Sequence, residues 1–131
     1  MFKKAVTVAA LTGALALTGG TAFAFGGAST SLSNGTLSVY ADDGCNVSGN
    51  CSLFYSQTSY KKTGGSSVSI QLAVWTDNRL RKTDAMTVSS GQTKTNSWGG
   101  IAKSESSSTC NITGYMVAST GKYYTPPVSV C

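Results

Sequence analysis

Apolar and polar residues alternate most regularly between Ser67 and Thr76, in the sequence S-V-S-I-Q-L-A-V-W-T. Four aliphatic residues share one side of this two-residue period: Val68, Ile70, Leu72 and Val74. Successive side chains of a β-strand point to opposite faces of a sheet, whereas a helix would scatter these four around its circumference. The pattern therefore predicts a half-buried strand that covers one side of a hydrophobic core.

Shorter alternating stretches, separated by polar turns, predict the other strands. They are Gly35–Ala41, Ser52–Lys61, Thr83–Val88, Thr93–Ile101, Cys110–Ala118 and Lys122–Val130. Gly64 and Gly65 precede the central strand and predict a hairpin turn, because glycine tolerates positive φ. Strands at this spacing, with no helical run between them, predict an all-β fold: a small antiparallel Greek-key β-sandwich of about six to seven strands.

Two features modify the strands near the end of the chain. Gly114 lies inside Cys110–Ala118 and predicts a bulge, which shifts the inward-facing positions toward Tyr115 and Val117. Pro126-Pro127 lacks backbone donors, so the last strand is expected at the edge of a sheet.

The first 24 residues have the three parts of a secretory signal peptide. Lys3 and Lys4 precede an apolar run, and Thr21-Ala22-Phe23-Ala24 supplies small residues where a signal peptidase cleaves. The apolar run is too short for a membrane-spanning helix and ends in Gly19-Gly20. This pattern predicts cleavage after Ala24 and a secreted protein.

Removing these 24 residues from 131 leaves 107, enough for one domain with its own core. Residues 25–34 are rich in Gly and Ser and are expected to form a flexible arm, followed by a single domain over residues 35–131. Without Lys3 and Lys4, ten basic residues become eight against five acidic ones, a net charge of +3. This mild charge is unlike the dense positive field of a nucleic-acid binder.

All four cysteines follow the signal peptide: Cys45, Cys51, Cys110 and Cys131. An even number in an exported chain predicts two disulfides, for which three connectivities are possible. The pairs 45–51 and 110–131 are favoured because their members are close in sequence, and the second pair would hold the chain end in place. The alternative, a zinc site, lacks both C-x-x-C spacing and histidine.

Three stretches resemble the tendamistat-type family of secreted α-amylase inhibitors: Y-S-Q at Tyr55–Gln57, V-S-I-Q-L-A-V-W-T-D at Val68–Asp77 and V-S-S-G-Q-T at Val88–Thr93. The resemblance implies a Greek-key sandwich and a non-catalytic inhibitor that occupies an enzyme cleft. That family presents an exposed Trp-Arg-Tyr triplet on a turn, and here Phe54-Tyr55-Ser56 holds the comparable place. The cysteine pattern also departs from that of the family.

The composition argues against catalysis. The chain has no histidine, so neither a Ser-His-Asp nor a Cys-His arrangement can form. The five carboxylates lie in or beside predicted turns, where a solvated role is the default: Asp42, Asp43, Asp77, Asp84 and Glu105. We therefore expect that the protein is not an enzyme and that it uses no cofactor and no metal. The alternative is a glycosidase, which would need two of these carboxylates at a suitable distance from each other.

Basic and aromatic groups supply the candidate partner-binding residues, since tyrosine and arginine are common at interfaces. The candidates are Arg79, Leu80, Arg81, Lys82, Tyr60, Tyr123 and Tyr124. The first four form the densest charge cluster, which is expected at the tip or start of a hairpin. A solvated edge protected by cations is the alternative interpretation. Trp75 and Trp98 are expected to belong to the core or to cover the sheet.

These features favour a secreted protein-binding module, either an adaptor subunit of a secreted assembly, toxin-type complexes included, or an inhibitor of an extracellular enzyme. A small cationic antimicrobial protein is the second hypothesis, although the mild charge and the missing amphipathic helix count against it. A secreted hydrolase is the third. The expected partner is another extracellular protein, with no nucleic acid and no stable membrane insertion. Four asparagines stand in N-x-S/T patterns, which matter only in a host that glycosylates: Asn34, Asn46, Asn50 and Asn111.

Overall fold

A computed structural model of the chain describes residues 25–131, and the predicted signal peptide, residues 1–24, lies outside the described residues. The elements are β1 (Gly26–Leu32), β2 (Gly35–Asp43), α1 (Gly44–Val47), β3 (Leu53–Lys62), β4 (Val68–Trp75), β5 (Leu80–Lys82), β6 (Met86–Val88), β7 (Thr93–Ala102), a 3-10 helix (Lys103–Ser106), β8 (Asn111–Ala118) and β9 (Gly121–Ser129). In this part of the chain, no helix is long and apolar enough to cross a membrane.

The strands form two antiparallel sheets. One has the order β1-β2-β3-β7, and the other has the order β5-β4-β8-β9, with β6 also pairing with β4. The prediction of an all-β, disulfide-bonded, antiparallel fold is confirmed. The hairpin predicted at Gly64-Gly65 is wrong, because β3 and β4 belong to different sheets and this turn carries the chain from one to the other. Alternation identifies the buried side of a strand, but it does not identify the strand's neighbours.

The predicted central strand is β4, and its aliphatic side is buried. Val74 packs in one cluster of core residues, while Ile70 and Leu72 pack in a second cluster. From the facing sheet, Val39 joins the first cluster and Leu37 joins the second. Because β4 contributes to both clusters, it connects the two halves of the core.

The segment expected to be a flexible arm, residues 25–34, differs from that expectation. Gly26–Leu32 forms β1, which pairs with β2 along its whole length. The Phe25 amide donates to the Ser129 carbonyl oxygen at 2.7 Å, and the Thr30 hydroxyl donates to the Tyr124 carbonyl oxygen at 2.8 Å. Backbone pairing stabilises this segment, and Gly- and Ser-rich composition does not reveal backbone pairing.

The strand predicted at Thr83–Val88 is two short strands in the structure, and the first of them, β5, begins before the predicted start. β5 and β6 pair with different halves of β4, and Thr83 lies between them. The Thr83 amide donates to the Leu72 carbonyl oxygen at 2.9 Å, and its hydroxyl accepts from the Leu72 amide at 3.1 Å. This division and β1 account for nine strands where about six to seven were expected.

The pairing of β8 with β9 is irregular at Gly114, as predicted. The predicted shift of the inward-facing positions toward Tyr115 and Val117 is wrong. Thr113 pairs with Pro127, and Tyr115 pairs with Tyr124, so the extra residue belongs to β9 rather than β8. β8 therefore keeps its phase, and Met116 belongs to the second core cluster. Tyr115 is also buried, at 7% exposure, but it belongs to neither cluster. The expectation that Pro126-Pro127 lies in an edge strand is confirmed, because β9 ends its sheet.

Both favoured disulfides are present. Cys45 and Cys51 have a Cα–Cα distance of 4.2 Å, and Cys110 and Cys131 have one of 5.4 Å. The Cys110 carbonyl oxygen accepts from the Val130 amide at 2.8 Å, so the end of the chain is held by a hydrogen bond as well.

The close approach of the two sheets at Gly114 leads to a stability prediction. A Cβ atom at this position would lie 2.7 Å from Val39 Cβ, closer than real Cβ contacts. We expect Gly114→Ala to lower the free energy of unfolding by about 1–3 kcal/mol, measured by urea denaturation of the oxidised protein. The control is Gly27→Ala, whose nearest neighbours would be 3.5 Å away. It should change the stability by less than about 0.5 kcal/mol, and equal losses would contradict the prediction.

Candidate partner-binding face

The outer surface of the sheet containing β4 carries a band of aromatic and aliphatic side chains. Residues directly opposite each other on paired strands point to the same face. One row across the sheet consists of Leu80, Trp75, Thr113 and Pro127. The neighbouring row consists of Lys82, Ala73, Tyr115 and Tyr124. We call these two rows the outer aromatic face.

Three large side chains of this face are strongly exposed. Trp75 is 42% exposed, Leu80 is 40% exposed and Tyr124 is 58% exposed. Leu80 lies directly opposite Trp75, so these two side chains make one apolar surface rather than scattered single residues. A contiguous exposed apolar patch on a folded protein marks an interaction site more often than isolated apolar residues do.

A pair of tyrosines forms the other end of the band. The rings of Tyr115 and Tyr124 have centroids 4.5 Å apart and planes tilted by 32°. Burial is the main cause that raises the pKa of Tyr115, and the Tyr124 hydroxyl adds to this effect. Tyr115 therefore stays neutral at physiological pH and supports Tyr124, which protrudes into solvent.

The charge cluster seen in the sequence divides between the two sides of β5. Leu80 and Lys82 point outward, because they pair with outward-facing residues of β4. Arg81 lies opposite the buried Val74 and points toward the interior side of the sheet. Arg79 is exposed in the turn that precedes β5. The two-residue period of the strand thus separates side chains that the sequence presents as one group.

Arg81 is held in a bidentate ion pair with Glu105, so its guanidinium group already has a carboxylate partner within the chain. Its Nη2 lies 2.9 Å from Glu105 Oε1, and its Nη1 bonds to Oε2. The Thr76 hydroxyl also donates to Oε2, at 2.6 Å. Hydrogen bonding from Arg81, followed by that from Thr76, lowers the pKa of Glu105 to about 2 against an opposing effect of burial. This network fastens the 3-10 helix to the turn before β5.

Tyr60 and Tyr123 do not belong to the outer aromatic face. Tyr60 is only 4% exposed and is part of the second core cluster, against which Tyr123 packs. Tyr123 pairs with Met116 and faces inward, whereas its neighbour Tyr124 faces outward. The alternation of the strand thus places the two candidate tyrosines of β9 on opposite faces of the sheet.

Trp75 lies on the outer side of its sheet, one of the two positions expected for it, and its exposure makes it a candidate binding residue that was not named from the sequence. Trp75 continues the polar side of the central strand, after Ser69 and Gln71, and a tryptophan in that phase must lie on the outer face. Trp98 behaves as expected, since its indole Nε1 donates to the buried Thr58 hydroxyl at 3.0 Å.

Cations surround the face. Lys82 belongs to it, Arg79 lies in the adjoining turn, and Lys122 stands in the next row opposite Val117. The nearby Glu105 is already bonded to Arg81. Asp77 in the turn before β5 and Asp84 after β5 add negative charges. The arrangement is an apolar centre with a charged rim, which resembles the core and rim of a protein interface.

Comparisons with known proteins add no relative, since no family model, curated protein or solved structure matches the chain. The resemblance to tendamistat-type inhibitors stays a prediction.

The ion pair of Glu105 leads to a pH prediction. Its pKa in the folded protein, about 2, lies below the ordinary value of 4.5, so the stabilisation is complete above the ordinary value. It is lost as the pH falls toward the folded-state pKa, when the carboxylate is protonated. We expect the urea midpoint of the wild type to fall between about pH 5 and pH 2, and to fall less in Glu105→Gln.

The matched control is Asp84→Asn. Asp84 is exposed, and neither ion pair recorded within residues 25–131 includes it. This variant should keep the pH dependence of the wild type. An acid-induced loss of the same size in Glu105→Gln would show that the ion pair does not cause it.

Proposed function

We propose that this chain is a secreted, non-catalytic module that binds another extracellular protein through its outer aromatic face. The observation that carries the proposal is the exposure of Trp75, Leu80 and Tyr124 on one side of one sheet. Aromatic side chains on strands lose little conformational freedom when they bind, and they are enriched among residues that dominate binding energy.

Export is supported by two kinds of observation. The start of the sequence has the pattern of a signal peptide, and the chain has two disulfides. Disulfides form and persist in oxidising compartments, including the extracellular space.

The shape of the face favours an adaptor over an inhibitor that enters a cleft. Its exposed side chains stand in rows on a sheet, whereas a cleft requires a protruding segment. Arg79 in the turn before β5 offers such a tip, but the neighbouring Arg81 is bonded to Glu105. An adaptor subunit of a secreted assembly, with toxin-type complexes included in that class, is therefore the first candidate function, and an enzyme inhibitor is the second.

The alternative functions have less support from the site. A cationic antimicrobial protein needs free positive charge, but Arg81 and Lys103 are paired with carboxylates, and Lys62 is buried. A hydrolase needs available carboxylates, but Glu105 and Asp43 are the acidic members of those two ion pairs.

The test is capture of a partner from the secretome of the producing cells with the tagged mature protein. We expect Trp75→Ala and Tyr124→Ala each to weaken binding of the purified partner by about tenfold or more, measured by biolayer interferometry. The control is Tyr40→Ala, because Tyr40 is 48% exposed but belongs to the other sheet. It should leave the affinity unchanged.

The identity of the partner distinguishes the two roles. A stoichiometric subunit from the same secretome supports an adaptor, and inhibition of a foreign hydrolase supports an inhibitor. Recovery of nothing above background would contradict the proposal, and equal losses in the Tyr40 and Trp75 variants would exclude this face as the contact.

A further inference from the structure

A small cleft opens between the two sheets at the end opposite the exposed tryptophan. It has a volume of about 100 Å³, and the turn between β1 and β2, the start of β4 and the end of β8 border it. Its apolar wall includes Leu32, Val68 and Met116. β4 begins at this cleft with Val68 and ends at Trp75, so the cleft is separate from the outer aromatic face.

A buried lysine lies in the wall of this cleft. Lys62 is the last residue of β3, and only 1% of its surface is exposed. It points inward because it continues the buried side of the strand, after Thr58 and Tyr60. Its ammonium group donates to the Gly64 carbonyl oxygen at 2.5 Å.

This lysine has no carboxylate partner within residues 25–131. The two ion pairs found there join Arg81 to Glu105 and Lys103 to Asp43, and no acidic residue lines the cleft. A buried charge is costly unless it is paired and hydrogen-bonded. The surroundings of Lys62 therefore contain no negative charge to balance its buried ammonium group.

Hydroxyl groups complete the polar side of the cleft. Tyr60 donates to the Asn34 carbonyl oxygen at 3.3 Å, a long hydrogen bond, and the Tyr123 hydroxyl lies 3.0 Å from that of Thr120. Burial raises the pKa of Tyr60, and the nearby Tyr123 adds to this effect. Tyr60 is therefore neutral at physiological pH, so its hydroxyl adds no negative charge to the cleft.

We propose that this cleft binds a carboxylate, with Lys62 as its counter-ion and a short apolar chain against Leu32 and Met116. One buried cation matches one negative charge, and the small volume admits only a few carbon atoms. The carboxylate belongs either to a small organic acid or to the C-terminal residue of a peptide. The chemistry is the same in both cases, and the inference does not depend on the proposed function.

Titration of the isotope-labelled, oxidised mature protein with butyrate, followed by NMR, tests the proposal. Butyramide serves as the matched neutral ligand. We expect butyrate to shift the amide signals of Lys62, Tyr60 and Met116 in a saturable way, and butyramide to bind about tenfold more weakly or worse. Equal binding of the two ligands, or no shift with butyrate or any peptide, would overturn the proposal.

Two variants with a matched control test the role of the lysine. Lys62→Met keeps a long apolar side chain without the charge, and it should weaken butyrate binding by about tenfold or more. Ala118→Leu fills the cleft without changing Lys62, and it should cause a similar loss. The control is Lys61→Met, whose side chain is exposed on the outer face of the other sheet. Unchanged binding in both cleft variants would overturn the proposal.

An apolar tripeptide with a free C-terminus, compared with its amidated form, distinguishes the two sources of the carboxylate. Tighter binding of the free peptide than of butyrate supports the end of a peptide chain as the ligand. Tighter binding of butyrate supports a small organic acid.

Discussion

Packing of the aliphatic side of β4 against the facing sheet is the interaction on which the rest of the structure depends. Each fully buried aliphatic side chain of this strand contributes about 1.5–3 kcal/mol. A hydrogen bond between the sheets accompanies this packing. The buried Thr58 hydroxyl of β3 donates to the Ala73 carbonyl oxygen of β4 at 2.9 Å. The same hydroxyl accepts from Trp98, so one side chain joins both sheets and the bulged part of β7. The bond to Ala73 is thus a specific polar contact between the two sheets, in addition to the aliphatic packing.

Once the inner side of β4 is buried, its outer side must carry every residue of the opposite phase. Trp75 is therefore exposed as a consequence of the register that buries Val74. The same constraint acts on β5, where Leu80 faces outward and Arg81 inward, and on β9, where Tyr124 faces outward and Tyr123 inward. The same two-residue alternation of the strands therefore determines both which residues form the core and which form the candidate binding face.

The buried side of each long strand could be predicted from the sequence, because that side is determined by local alternation. The fold class and both disulfides could be predicted as well. The sheet neighbours of β3 and β4 could not, because the same alternation fits a hairpin and a crossover between sheets. β1 was missed because it is held by backbone pairing with β2 and by a Thr30 hydrogen bond to β9, neither of which composition reveals.

The candidate residues named from the sequence lie on different faces of the structure for a related reason. The sequence groups residues that are adjacent along the chain, whereas a sheet groups residues that are adjacent across strands. Leu80, Trp75 and Tyr124 come from three strands, and their common position depends on pairings at long sequence separation. Arg81 was chosen for its charge, but its partner Glu105 lies 24 positions later, in a segment that reads only as a polar loop.

The sheet edges also favour binding through a face over the addition of a partner strand. An open edge invites pairing with another chain, and proteins block edges with prolines, bulges and inward-pointing charges. β9 contains Pro126-Pro127 and is bonded to β1 through Thr30. The edge formed by β5 and β6 is interrupted at Thr83, and β7 has a bulge at Trp98. Lys94 of β7 lies opposite the buried Tyr60 and so points inward. Because β9, β7 and the edge formed by β5 and β6 carry such devices, and β1 is bonded to β9, the exposed aromatic side chains are the part of this scaffold best suited to a partner.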